Sequence, residues 1–255
     1  GLLWIYCGVA SAQTRPLNDT GITFSGNATS GNSASCLVTD PTGQDCRYGR
    51  DAAALAGTLP AKVGGSSGTN GFDFTKVCNS GQTAGQGTCP ANPTVPGDAT
   101  NDWGCTRDNV TGLMWEVKTT TGLRSMNHSY TWFKTASPDG NNGTAAGGTC
   151  ANAGRCDTEK FTQDVNALGT ALCGARDWRM PTVNELEGIA DFGRFSPAID
   201  PTYFPNTLTA TSFYWSDSPY GIPSDSRYVR FSDGGAFANL GRNEQLHVRL
   251  VRGAQ

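Results

Sequence analysis

Downstream of residue 110, apolar positions repeat with two different periods. Leu113, Trp115 and Val117 alternate with Met114, Glu116 and Lys118, which predicts a half-buried strand over 112–118. Phe213-Tyr214-Trp215-Ser216 reads as a second strand. Over 227–231 the alternation places Val229 and Phe231 inward and Tyr228 and Arg230 outward. Asp233-Gly234-Gly235 is a turn. Leu246, Val248 and Leu250 share one face of a closing strand over 246–252. Between these strands the period changes. Phe161, Val165, Leu168 and Leu172 stand at i, i+4, i+7 and i+11, one stripe of a helix that Asp157 or Thr158 caps and Cys173-Gly174 ends. Thr182-Val183-Asn184-Glu185 after Pro181 is a capping box, so a second helix starts there and turns Leu186, Ile189 and Ala190 to the core. Asp177-Trp178-Arg179-Met180 joins the two helices. Two helices followed by antiparallel strands predict an α+β fold with a small antiparallel sheet.

Upstream the pattern is different. Residues 13–101 are rich in Gly, Ser, Thr, Asn and Pro, and the stretches 57–71 and 79–97 have no period, so they read as long loops. Ile22-Thr23-Phe24 and Phe72-Asp73-Phe74 are short apolar islands with the character of edge strands. Residues 135–155 form another Gly/Asn/Ala loop. The expected organisation is therefore a short leader remnant over 1–12, an irregular region over 13–101 and a folded α+β domain over 102–255.

Composition narrows the function. Only 16% of the 255 residues are charged while 33 are Gly, which suits a loop-rich domain and not a helical bundle. The net charge is −3 with no Lys/Arg run, so a nucleic-acid partner is not expected. No stretch approaches the ~20 apolar residues of a membrane span. Residues 2–12, LLWIYCGVASA, end on Ala10-Ser11-Ala12 and resemble the tail of a signal peptide, with cleavage leaving Gln13 first. Setting Cys7 aside leaves eight cysteines: Cys36, Cys46, Cys78, Cys89, Cys105, Cys150, Cys156 and Cys173. An even number in an exported chain points to disulfides. Local pairs Cys36–Cys46, Cys78–Cys89 and Cys150–Cys156 would leave Cys105–Cys173 as the long-range bridge, although sequence alone leaves the pairing open. Together these features predict a secreted or surface-displayed protein.

Catalytic and metal signatures are weak. Gly64-Gly65-Ser66-Ser67-Gly68 fits G-x-S-x-G but lacks the strand and helix that a nucleophile elbow requires. His128 and His247 are the only imidazoles, and there is no C-x-x-C for zinc. Asp139-Gly140-Asn141-Asn142-Gly143 is a fragment of an acidic calcium loop without its remaining ligands. No phosphate loop or dinucleotide fingerprint occurs. The expectation is a protein that is not an enzyme and holds neither metal nor cofactor.

Four segments in order carry a family resemblance: Asp108-Asn109-Val110-Thr111-Gly112-Leu113-Met114-Trp115, then Trp178-Arg179-Met180-Pro181-Thr182-Val183-Asn184-Glu185-Leu186, then Tyr214-Trp215-Ser216, and finally Val229-Arg230-Phe231 with Val248-Arg249-Leu250-Val251-Arg252. Over about 103–252 the chain resembles the Lcl C-terminal domain family, also called DUF1566, and through it the variable proteins of diversity-generating retroelements. The resemblance implies a C-type-lectin-like fold, export, and adhesin-like binding of a protein receptor or surface glycan, with a possible homo-oligomer. It also argues against the related formylglycine-generating activity, because no cysteine follows Cys173. The segment from Tyr220 to His247, between the Tyr214-Trp215-Ser216 strand and the closing strand, would then display the ligand-binding face. Its candidates are Tyr220, Ser224, Asp225, Arg227, Tyr228, Arg230, Ser232, Asp233, Phe237, Asn239, Arg242, Asn243, Gln245 and His247. Aromatic rings supply flat apolar area, and arginines supply forked donors for carboxylate or sulfate. A structural subunit of an extracellular fibre, with residues 2–10 kept as an assembly arm, is the alternative.

Overall fold

The computed structural model describes residues 17–27, 31–33, 36, 39–58, 71–209 and 212–253. The leader remnant, the Gly64–Gly68 motif and much of the 57–71 loop lie outside the described residues. Among the described residues the fold is α+β, mostly sheet with few helices, and it carries four disulfides. A small hairpin, β1 (Ser25–Asn27) with β2 (Gly31–Ser33), and two short helices, α1 (Asp45–Tyr48) and α2 (Arg50–Leu55), come first. The main sheet has the order β3-β4-β5-β9, with β3 (Phe74–Cys78), β4 (Trp103–Asp108), β5 (Met114–Glu116) and β9 (Val251–Arg252) all antiparallel. A second antiparallel sheet has the order β6-β7-β8, from β6 (Phe213–Pro219), β7 (Asp225–Arg230) and β8 (Ala236–Gly241).

The helices follow the start signals in the sequence. Helix α3 (Thr158–Asn166) begins where the Asp157 carboxylate accepts the Lys160 amide. It stops before the expected end. Gly169 and Thr170 are poor helix formers, and the Arg176 guanidinium takes the carbonyls of Asn166, Leu168 and Gly169 instead. Leu172 still reaches the core, from a 3₁₀ turn over Leu172–Gly174. Helix α4 (Val183–Glu187) carries the capping box, with both reciprocal bonds between Thr182 and Glu185 in place.

Two apolar clusters fill the interior. One gathers Trp132, Phe161, Trp178, Trp215 and Leu250; the other gathers Phe72, Phe74, Trp115, Phe204 and Tyr214. Strand β5 runs between them, so Met114 and Trp115 are both buried and the expected half-buried strand is closed on both faces. The closing segment behaves likewise. Leu246, Val248 and Leu250 do share one cluster, but Val251 and Arg249 are buried too. The segment is a seam: Leu246 pairs with Tyr130, His247 with β6, and Val251 with β5 and Arg179. Ile22-Thr23-Phe24 forms no strand, whereas Phe74 opens β3 and joins the core with Phe72. The bridges are Cys36–Cys46, Cys78–Cys89, Cys105–Cys173 and Cys150–Cys156. The third links β4 to the 3₁₀ turn after α3 across 68 residues.

Candidate functional site

The second sheet and its two connecting turns carry most of the candidate side chains, and the register of the sheet decides which of them reach the surface. Tyr214 pairs with Val229, and Trp215 with Tyr228; across β7, Tyr228 pairs with Phe237. Side chains alternate across a sheet. Tyr214, Val229 and Phe231 therefore enter one cluster, and Trp215 and Tyr228 enter the other. Both faces are covered at β6 and the middle of β7. The exposed part is the β8 margin, with the turn before it and the β6–β7 hairpin tip.

Tyr228, expected outward, is buried at 4% because it lies in line with Trp215. Its ring stacks on Phe237 at 5.7 Å and 24°, and its hydroxyl donates to Asn239 Oδ1 at 2.6 Å. Phe213 adds a third ring 5.1 Å from Tyr228. The Arg230 guanidinium lies 4.8 Å over Phe237 and is paired with Asp233, whose carboxyl it holds below the usual range. At the hairpin tip, Arg227 stands 5.5 Å over the exposed Tyr220 ring. Ile222, which the sequence reading did not single out, is 54% exposed beside it. Ser224 hydrogen-bonds Asp225 at 2.9 Å. The Ser232 carbonyl accepts the Ser196 amide.

The remaining candidates are placed elsewhere. Arg242 is an internal residue at 2% exposure, against the expectation of a surface donor. Its Nε donates to Ser226 Oγ at 2.8 Å, its Nη groups hold Asp139 and the Asn141 carbonyl, and it lies 3.9 Å from the Trp132 ring centre. The acidic loop that resembles part of a calcium site is thus neutralised by a guanidinium of the same chain. That cation holds the Asp139 carboxyl far below its ordinary value. Gln245 is exposed at another corner, where its Oε1 accepts from Ser129 and Thr149. Asn243 is exposed in the turn after β8. His247 directs Nδ1 at the His128 carbonyl 2.8 Å away, and burial pushes its imidazole down.

Two other polar groupings exist among the described residues. A cleft of about 210 Å³ is lined by Asn79, Asp98, Arg124, Leu168, Thr170 and Leu172. Arg124 there is already bound to Asp98 and to the Gly97 and Val117 carbonyls. Asp19, Asp45 and Asp51 bring carboxylate oxygens within 4.8 Å of one another, and desolvation, aided by their mutual repulsion, pushes Asp45 and Asp51 up. No described helix is long and apolar enough to cross a membrane.

Residues 104–252 match the family model described as the Lcl C-terminal domain. No curated protein and no solved structure matches the chain.

Proposed function

The chain belongs to the Lcl C-terminal domain family, and on that footing we propose that it is an extracellular, adhesin-like protein that binds its ligand through the β8 margin and the β6–β7 hairpin tip. The observation that carries this reading is the ring series Phe213, Tyr228 and Phe237, ending under Arg230 at the surface. Aromatic and arginine side chains are the usual anchors of binding surfaces. Antiparallel pairing of β6, β7 and β8 holds these side chains in register, and a preordered surface loses less entropy when it binds. Two helices beside antiparallel sheets, with the closing strand paired into the main sheet, support a C-type-lectin-like frame.

The function is binding, not catalysis. His128 and His247 both direct Nδ1 at backbone carbonyls, of Leu123 and His128 respectively, and burial lowers both imidazoles. Four disulfides support a role outside the cytoplasm. The test is binding of the purified protein to arrays of glycans and extracellular receptor domains, with Arg227→Ala and Phe237→Ala alongside. Each change is expected to weaken binding about tenfold, the loss of one anchor. Unchanged binding in both variants contradicts the reading.

A further inference from the structure

Sequence patterning gives no signal for the loop at 191–197, yet the fold ties it to the candidate surface. The Asp191 amide donates to the Ala198 carbonyl, closing the loop at its base. Within it, Asp191 holds the Gly193 amide at 3.0 Å and Arg194 Nε at 2.8 Å. The Ser196 amide donates to Ser232 O and the Ala198 amide to Phe231 O, both at 2.7 Å. These last two bonds attach the loop to the turn that carries Asp233. On this pinned loop Phe195 is 78% exposed and Phe192 38% exposed.

The turn itself records how close the rings lie. A Cβ on Gly234 would come within 2.9 Å of the Phe192 ring, and one on Gly235 within 2.8 Å of the Phe237 ring. Gly234 also has φ +82°, a conformation that favours glycine. The Phe192 and Phe237 rings therefore flank one two-glycine turn, which leaves no side chain between the loop and the start of β8 on which either ring could rest.

Charge then selects the partner. Arg194 is paired with Asp191 and Arg230 with Asp233, so each guanidinium in this patch is neutralised three residues away. Of the three arginines between 220 and 247, Arg242 is internal and only Arg227 forms no ion pair among the described residues. A polysulfated chain needs several free cations together, whereas exposed phenylalanines on a fixed loop suit apolar contact. Resting on the binding role above, we propose that Phe192 and Phe195 belong to the site and that its partner is a protein segment presenting uncharged, apolar side chains.

Panning a phage-displayed library of random linear peptides on the folded, immobilised protein supplies the probe. Fluorescence anisotropy of the enriched, synthesised peptide then compares the wild type with Phe192→Ser, Phe195→Ser and Phe237→Ala. The expected peptides are apolar, and the expected loss in Phe195→Ser is about tenfold. Affinity is expected to change little between low and high salt, and heparin is expected not to displace the peptide. Phe195 is mostly in solvent, so its replacement leaves the fold intact. Acidic, salt-sensitive peptides, displacement by heparin, or no enrichment would overturn the proposal. Binding unchanged in Phe192→Ser and Phe195→Ser but lost in Phe237→Ala would overturn it while leaving the β8 surface standing. Binding unchanged in all three would remove both.

Discussion

Arg242 binds three other parts of the molecule through one guanidinium. It sits on the Trp132 ring, bonds Ser226 of β7, and holds both Asp139 and the Asn141 carbonyl of the 137–143 loop. The loop's own bonds complete the arrangement, with Ser137 Oγ donating to Asp139 at 2.7 Å and the Ser137 amide to Asn142 Oδ1 at 3.1 Å. Asp139→Asn leaves a buried guanidinium without its carboxylate, and a denaturant titration is expected to show a loss of about 3 kcal/mol. Excess EDTA is expected to leave the wild-type melting temperature unchanged, because the positive charge is part of the chain. Asp139 is depressed in the folded state, so its contribution is full above the unfolded carboxylate range and is lost progressively as pH falls from that range through the lowered value. None of this is legible at Arg242 itself. Between Gly241 and Asn243 it reads as a surface cation, and its carboxylate partner lies 103 residues upstream. Phe192 and Phe195 are illegible for a related reason. Their loop has no hydrophobic period, and only the fold brings it against Gly234.

Among the elements, legibility follows locality. The capping box of α4 is read directly and the cap of α3 is narrowed to Asp157 or Thr158, of which Asp157 serves, because each involves residues three apart in sequence. Strand β8 is not. Its partner residues Phe237 and Leu240 are three apart while those on β7, Tyr228 and Ser226, are two apart, so a bulge breaks the period-two pattern. Strand β5 is found but misjudged. Its alternation suggests one wet face, yet Glu116 and Lys118 lie inside as a 3.0 Å ion pair. Glu116 also accepts the Leu250 amide through its second oxygen, and its carbonyl accepts from Arg249. Burial pushes the Lys118 ammonium down to about 8. A lysine lowered on folding withholds stability at neutral pH and returns it as pH climbs from the folded towards the unfolded value. The melting temperature of the wild type minus that of Lys118→Met is therefore expected to increase from pH 8 to about pH 10, the upper limit set by an unfolded lysine. A flat or falling difference contradicts this account of the strand.

At the scale of the whole molecule, the frame and the surface differ in how the chain encodes them. The α+β class and the helix order are anticipated in the sequence; the bridges follow the pairing that short spacings favour, Cys36–Cys46, Cys78–Cys89 and Cys150–Cys156 with one long link, a choice that the sequence leaves open. Phe72-Asp73-Phe74 reads as an edge strand and opens one, but its place between polar loops hides the two rings it gives to the core. The proposed binding surface is narrower than the segment 220–247 suggests and broader than that segment in another direction. Tyr228 and Arg242 turn inward, while Phe192 and Phe195 arrive from outside it.

The central claim is that the β8 margin is where a ligand lands. Asn239 is exposed on that strand, and Gln163 is exposed on α3. Replacing each in turn with p-azidophenylalanine and clicking on a polyethylene glycol chain covers one surface at a time in a folded protein. Binding to the receptor and glycan arrays is expected to vanish with the chain at 239 and to persist with it at 163. Persistence with the chain at 239, or loss only with the chain at 163, contradicts the account.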